Sequence, residues 1–338
     1  MGIPGAWSVL LLSLLQGWSC WAQEQKPPHI VFILADDLGW NYVPWHNERV
    51  YAPNLMELAT TGVLLEQSYV QPLCSPSRSA FMTGMYPYHL GRQHYVIIPQ
   101  QPSGVPLNYT FLPETLKTLG YDTHIVGKWH MGFCNESYTP LHRGFDTQYG
   151  FYTGKTDYYN HTNCAYLVDN VTHSCYGYDF RDQGEVAPDA NGTYSTYLYT
   201  ERALGIIHDH SGKDTPMFLY LPHQNAHDPC EVPDEFANLY PEVEDLNTRI
   251  TLGMVSALDS SVGRVIAALR ETGMYDNTLI IFSSDNGGPS GPMKDTNIPL
   301  RGHKSQLWEG GTRGAGFVHS PLLSNTPRIH AQVVQSME

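Results

Sequence analysis

The stretch His29-Ile30-Val31-Phe32-Ile33-Leu34-Ala35-Asp36-Asp37-Leu38-Gly39 joins an unbroken apolar run to a pair of carboxylates. A run without in/out alternation reads as a strand buried on both faces, the habit of parallel sheets covered by helices. Residues 123–126, 217–221 and 278–283 have the same character. Helical patterns lie between them. Residues 54–61 end at Gly62, and residues 112–119 carry Pro113 near the start and Gly120 beyond the end. Residues 248–272 keep Ile250, Met254, Leu258, Val262, Ile266 and Leu269 at helical spacing and stop at Gly273, so that stripe is core. The alternation predicts an α/β fold with a mostly parallel central sheet and helices on both faces. Residues 134–194 are rich in Tyr, Asn, Asp and Gly, show little periodicity, and are expected to form a long surface excursion.

In open α/β sheets, ligands gather at the carboxyl ends of the strands. The first strand ends in Asp36-Asp37 and the strand near 280 ends in Ser284-Asp285-Asn286-Gly287-Gly288. Either cluster alone would pass for an Asx turn closing a strand. Together, three carboxylates and an amide oxygen make a hard-oxygen site suited to Ca²⁺ or Mg²⁺. Lys128 and His130, in Gly127-Lys128-Trp129-His130, follow the strand near 125 and share a side if the chain stays extended. His227 follows the strand near 219, and Lys304 lies shortly before Trp308-Glu309-Gly310-Gly311. A lone His or Lys is more often a satisfied surface or core residue; these four fall where one pocket is expected.

Cys74-Ser75-Pro76-Ser77-Arg78-Ser79-Ala80-Phe81-Met82-Thr83-Gly84 opens another helical run. Ser75-Pro76 reads as an N-cap followed by proline at the first helical position. That puts residue 74 at a helix N-terminus, where backbone N–H groups favour an anion, with Arg78 one turn on.

The chain has 338 residues, 41% of them hydrophobic, enough to bury a sizeable core. Its formal charge of −14 argues against nucleic acid or an anionic membrane as partner. An anion site must then be a local basic cluster, and the 16 histidines relieve part of the charge at acidic pH. Residues 1–22 read as a signal peptide, with an apolar core at 9–15 and a small-residue cleavage site at Cys20-Trp21-Ala22; the apolar run is too short for a membrane anchor. Sequons at Asn108, Asn135, Asn160, Asn170 and Asn191 agree with secretory routing, to the lysosome or the extracellular space.

The motifs Ala-Asp-Asp-Leu-Gly-Trp, Gln-Pro-Leu-Cys-Ser-Pro-Ser-Arg-Ser, Val-Gly-Lys-Trp-His-Met-Gly, Ser-Ser-Asp-Asn-Gly-Gly and Leu-Trp-Glu-Gly-Gly-Thr-Arg-Gly, in this order, resemble those of type I sulfatases. The set looks most like the arylsulfatase B (N-acetylgalactosamine-4-sulfatase) branch and spans residues 28–330. The resemblance implies an alkaline-phosphatase-like fold and cleavage of sulfate from a sulfated carbohydrate of glycosaminoglycan type. It implies that Cys74 becomes formylglycine, installed by a formylglycine-generating enzyme, and that Asp36, Asp37, Asp285, Asn286 and residue 74 hold Ca²⁺. Arg78 and Lys128 would hold the aldehyde hydrate, His130 would assist its proton transfer, and His227 with Lys304 would meet the sulfate and its leaving oxygen.

With Cys20 in the signal peptide and Cys74 converted, four cysteines remain. Cys164 and Cys175 flank a short loop and are expected to form a disulfide, with Cys134 and Cys230 as the residual pair. A catalytic domain over residues 23–330, a divergent tail over 331–338 and a missing small C-terminal subdomain are expected. Two other readings stay open: a catalytically inactive relative that binds sulfated glycans or a partner, and a phosphatase of the same superfamily. The latter calls for Ser or Thr as nucleophile and a His-rich two-metal site, and the sequence shows neither pattern.

Overall fold

The computed structural model describes residues 26–165, 175–291 and 295–336; the expected signal peptide, and Asn170 with it, lie outside them. The apolar run that opened the reading is β1 (His29–Ala35), and it lies mid-sheet. The other strands are β2 (Val63–Tyr69), β3 (Asp122–Lys128), β4 (Thr147–Phe151), β5 (Thr162–Ala165), β6 (Cys175–Tyr178), β7 (Arg181–Asp182), β8 (Glu185–Val186), β9 (Met217–Pro222), β10 (Thr278–Ser284), β11 (Arg313–His319), β12 (Arg328–His330) and β13 (Val334–Gln335). The main sheet runs β12-β2-β11-β10-β1-β9-β3-β4-β7-β8, with β13 also on β2. Its middle, β10-β1-β9-β3-β4, is wholly parallel, while β11 and β7 add antiparallel pairs.

The period-2 geometry of β1 splits the core in two. Val31 and Ile33 join one cluster and Phe32 and Leu34 the other. On the first face pack the helices α1 (Pro53–Thr61), α4 (Ser195–His210) and α5 (Leu246–Glu271), and on the second α2 (Cys74–Thr83) and α3 (Leu112–Thr118). The stripe predicted on α5 is core: Met254, Leu258, Val262, Ile266 and Leu269 are buried. By length and composition α5 could cross a membrane, but 78% of its apolar window is buried inside the protein.

Two expectations fail here. Residues 134–194 are not only a surface excursion: β4, β7 and β8 extend the main sheet, and Phe151, Tyr158 and Phe180 enter the core. Short strands interleaved with turns carry no readable period. The helix at Cys74 starts at Cys74 itself after Leu73, and Ser75 caps nothing.

Close strand approach at the site end of the sheet depends on Gly127, which adopts φ +131°, and a Cβ there would sit 2.0 Å from Pro222 O on β9. No side chain fits that gap.

Several histidines are buried neutral. His223, just past β9, is fully buried, and that burial lowers its pKa to about 3. Below pH 6.5 the unfolded chain binds a proton that the folded chain refuses, so stability is lost as pH falls from 6.5 toward 3. His223 alone is expected to remove about 3 kcal/mol between pH 7 and pH 4. Denaturant melts across that range should show a shallower acid slope for His223→Gln than for the parent chain.

Candidate active site

Register brings the acidic clusters together. Ala35 on β1 pairs with Ser284 on β10, so the next residues, Asp36 and Asp285, lie side by side at the carboxyl edge. On the other side of β1, Leu34 pairs with Pro222, so the segment after β9 that carries His227 emerges beside Asp36-Asp37. β3 follows on β9 and ends in Lys128. Helix α2 delivers Cys74 to the same point. The loop bearing Lys304 is tied there by Lys304 N–H to Gly288 O (3.0 Å) and Ser305 N–H to Pro72 O (2.7 Å).

Asp36, Asp37 and Asp285 are buried, as are Arg78 and Lys128. Lys128 Nζ donates to Asp36 Oδ2 (2.6 Å). Arg78 spends its fork on Asp285 Oδ2, through Nε (3.0 Å) and Nη2 (2.8 Å), and gives Nη1 to Lys128 O (3.1 Å). Asp37 Oδ1 accepts from Lys304 Nζ (2.6 Å) and Asn286 Nδ2 (2.7 Å), and lies 3.9 Å from Cys74 Sγ. His227 Nδ1 faces Asp228 O (2.7 Å), and its Nε2 faces Lys304 Nζ (3.2 Å). A donor on each side of that arrangement, Nδ1–H and the ammonium, makes Nε2 the acceptor.

Three carboxylates thus face three side-chain cations. Burial works against ionisation of Asp37, but Lys304 and His227 outweigh it and hold the carboxyl well below the usual range. Burial likewise opposes Asp285, and Arg78 with Lys128 overrides it. Asp36 takes the residual strain, since burial and the neighbouring Asp285 push it up to about 8. Burial lowers His227 to about 4 and His130 well below its ordinary value, so both imidazoles are neutral at pH 7. Burial raises the Cys74 thiol, leaving it a poor thiolate.

Two buried oxygens, Asp36 Oδ1 and Asn286 Oδ1, have no hydrogen-bond partner among the described residues. Orphaned buried acceptors beside carboxylates are what a cation site provides. Ligand atoms of Asp36, Asp37, Cys74 and His227 lie within 4.8 Å of one another. The donor set, mostly oxygen, fits a hard divalent cation.

Above this charged layer lies a cavity of about 260 Å³ lined by Cys74, His130, His227 and Lys304. Lys128 and His130 do not reach the site by staying extended: His130 turns into the left-handed region (φ 61°), and its Nε2 meets Ile97 O (3.1 Å). Arg78 does not line the cavity either; it props Asp285 and the end of β3. Sequence reading missed Ser75, whose Oγ donates to His130 O (3.0 Å) and accepts from Ile97 N–H (3.1 Å). It also missed the segment 95–99 that forms one cavity wall.

With that geometry in place, comparison with known proteins is decisive. The profile described as Sulfatase matches residues 28–338. The chain belongs to the sulfatase family. It is 41% identical to arylsulfatase J of Mus musculus over 99% of this chain and 58% of that protein. It is 34% identical to N-acetylgalactosamine-6-sulfatase of Mus musculus (86% and 57%) and 31% identical to human arylsulfatase A (95% and 63%). It therefore spans less than two thirds of the length of these relatives. The crystal structure of Ps i-CgsB in complex with k-i-k-neocarrahexaose superposes with a TM-score of 0.83 at 31% identity, over 92% of this chain and 70% of that one.

Cys134 and Cys230 are both free thiols, against the pairing expected from the cysteine count. Cys134 is exposed, and Cys230 lies 3.9 Å from Thr251 Oγ1. In the β5–β6 hairpin Ala165, next to Cys164, pairs with Cys175.

Removing one partner of the Arg78–Asp285 pair strands a buried charge, which is expected to cost about 3–5 kcal/mol. Asp285→Asn should lower the midpoint of denaturant unfolding accordingly, and a change under 1 kcal/mol would show that the pair does not hold the site together.

Proposed function

We propose that this chain is the catalytic region of a sulfuric ester hydrolase that removes sulfate from a sulfated sugar of glycosaminoglycan type, with N-acetylgalactosamine 4-sulfate as the first substrate to try. The observation that carries the reading is residue 74 at a helix N-terminus, buried against Asp37 and under a cavity walled by His130, His227 and Lys304. Family membership supports it, as does a sugar-bound relative, Ps i-CgsB with neocarrahexaose.

Asp36, Asp37, Asp285 and Asn286 are the residues that would hold Ca²⁺, which supplies positive charge for the transferring group. Residue 74, if converted from cysteine to formylglycine by a formylglycine-generating enzyme and hydrated by one water, would supply two geminal hydroxyls, one for attack on sulfur and one for release of sulfate. The charge balance is consistent. A bound divalent cation would favour the ionised form of Asp36, and the three carboxylates would then cancel Arg78, Lys128 and Lys304, leaving two positive charges for a sulfate ester anion and an ionising hydroxyl to match.

The chain's own residues divide the remaining work. Arg78 and Lys128 offset the charges of the adjacent Asp285 and Asp36. Lys304, at the cavity surface and bonded to Asp37, presents an N–H toward the sulfate oxygens. His130, neutral and anchored to Ile97 O, is placed beside residue 74 to take a proton there. His227, with Nδ1 tied to the backbone of Asp228, accepts from Lys304 at Nε2 and so steadies the ammonium that faces the sulfate ester.

The catalytic region is taken as residues 23–330, following a signal peptide at 1–22, with routing to the lysosome or the extracellular space. Asn108, Asn135, Asn160 and Asn191 are all exposed, which suits glycan attachment. A Cys164–Cys175 disulfide would close the β5–β6 hairpin.

The chain secreted from cells with the modifying machinery should give a residue-74 peptide with the mass of formylglycine. It should hydrolyse p-nitrocatechol sulfate and not p-nitrophenyl phosphate, and Cys74→Ala should lower the rate by at least 10³-fold. Unmodified cysteine alone would sink the hydrolase reading, and retention of a sulfated glycan without turnover would favour an inactive binder. Millimolar Ca²⁺ should raise Tm by several degrees, EGTA should reverse it, and Asp36→Asn should abolish the response.

A further inference from the structure

The turn after β9 is built from polar side chains that point inward. Gln224 and Asn225 are fully buried, and so are the groups that meet them: Tyr158, Tyr194, Ser195 and Thr196. A connection at the end of a sheet ordinarily runs over the surface, where water satisfies its polar groups. Here protein groups take the place of water. Asn225 Nδ2 donates to Met254 O (2.9 Å) and Tyr194 Oη (3.2 Å), and its Oδ1 accepts from Thr196 Oγ1 (2.7 Å). Gln224 Oε1 accepts from Ser195 Oγ (3.2 Å), and its Nε2 donates to Thr156 O. The Tyr158 hydroxyl lies between Gln224 O (2.9 Å) and His227 O (3.0 Å) and shares its proton between them.

These bonds serve the turn more than the elements that supply them. Met254 lies inside α5, where its carbonyl already has a helical donor, so Asn225 takes a lone pair that the helix leaves over. What the turn holds is an edge of the charged layer. Asp36 N–H donates to Asn225 O (2.8 Å), and Ala226 N–H donates to Asp36 O (2.6 Å). Both polar groups of the Asp36 backbone are thus clamped by residues 225–226. Lys128 fixes Asp36 Oδ2, and Oδ1 is left as an open acceptor. The far end of the turn is closed by His227 N–H on Gln224 O (2.9 Å) and by Tyr158 on His227 O.

We propose, resting on the sulfatase reading and its cation site, that Asn225 is a positioning residue for the Asp36 carboxylate, acting through the turn 224–227 that Tyr158 braces. Neither Asn225 nor Tyr158 lines the cavity over residue 74, so both act through other residues. A hard cation needs its oxygens held at fixed places, and groups behind those oxygens set their direction. A fully satisfied buried network is suited to that work, because it admits one arrangement of the turn. A purely architectural network would instead lower stability and leave affinity for the cation unchanged.

The test is Ca²⁺ affinity, measured by isothermal titration calorimetry on the full chain at a temperature where every variant is folded. Cys74→Ala is present throughout, so that conversion of residue 74 does not vary between preparations. Asn225→Ala is expected to raise the Ca²⁺ dissociation constant about tenfold. Tyr158→Phe and Thr196→Val, each of which removes one hydroxyl and keeps the packing, are expected to raise it about threefold, and they decide the matter if Asn225→Ala does not fold. Thr196→Ser keeps the hydroxyl and should bind as the parent does. Ser256→Ala breaks a buried bond to Tyr240 Oη (2.6 Å) from the same helix α5, and should lower Tm without moving the dissociation constant. Unchanged affinity in the Asn225, Tyr158 and Thr196 variants, or an equal shift in Ser256→Ala, would overturn the positioning role alone. Absent Ca²⁺ binding by the parent would sink the cation site of the sulfatase reading and this role with it.

Discussion

The structure depends on holding three carboxylates and three cationic side chains in one dry layer at the carboxyl edge of the sheet. Asp36, Asp37 and Asp285 would repel one another strongly at low dielectric. Lys128, Lys304 and Arg78 each sit within 3 Å of a different one of them. Every partner comes from a distant part of the chain: β3, the loop after β10 and helix α2. The pairs therefore act as tertiary clamps, and removing any member leaves a buried charge without compensation.

That layer explains the order of the rest. The parallel strands must end in register for the carboxylates to meet, which is why the Ala35–Ser284 pairing matters beyond the sheet. Gly127 must be glycine for β3 to approach β9 and carry Lys128 to Asp36. Above the charged layer the chemistry changes. His130 and His227 are neutral, Cys74 is a suppressed thiol, and the cavity walls are apolar on one side and polar on the other. Charge is stored, in pairs, below the cavity floor.

Much of this was legible before any coordinates. The unalternating run at β1 announced a parallel sheet because burial on both faces removes the polar half of the pattern. The acidic ends of β1 and β10 were readable because strand ends are where such sheets bind ligands. Other parts were not legible. Arg78 reads as an anion-binding fork, yet its donors are consumed by Asp285 and Lys128 O, which only the approach of β10 and β3 decides. Ser75 reads as a cap, yet its hydroxyl joins His130 to Ile97, a contact 22 residues away along the chain on one side and 55 on the other. The cysteine count suggested a second disulfide, but arithmetic carries no distance, and Cys134 and Cys230 stay apart.

By itself the sequence determined which groups are available, and in which kind of element each one ends: strand-end carboxylates, a cysteine opening a helix, and isolated Lys and His after strands. Those are consequences of local pattern and of the directionality of parallel sheets. Only the tertiary structure decided how the groups divide into a buried charge layer and a cavity surface. That division follows from strand register, the left-handed turns at Asp37 and His130, and long-range hydrogen bonds, none of which leaves a periodic trace along the chain.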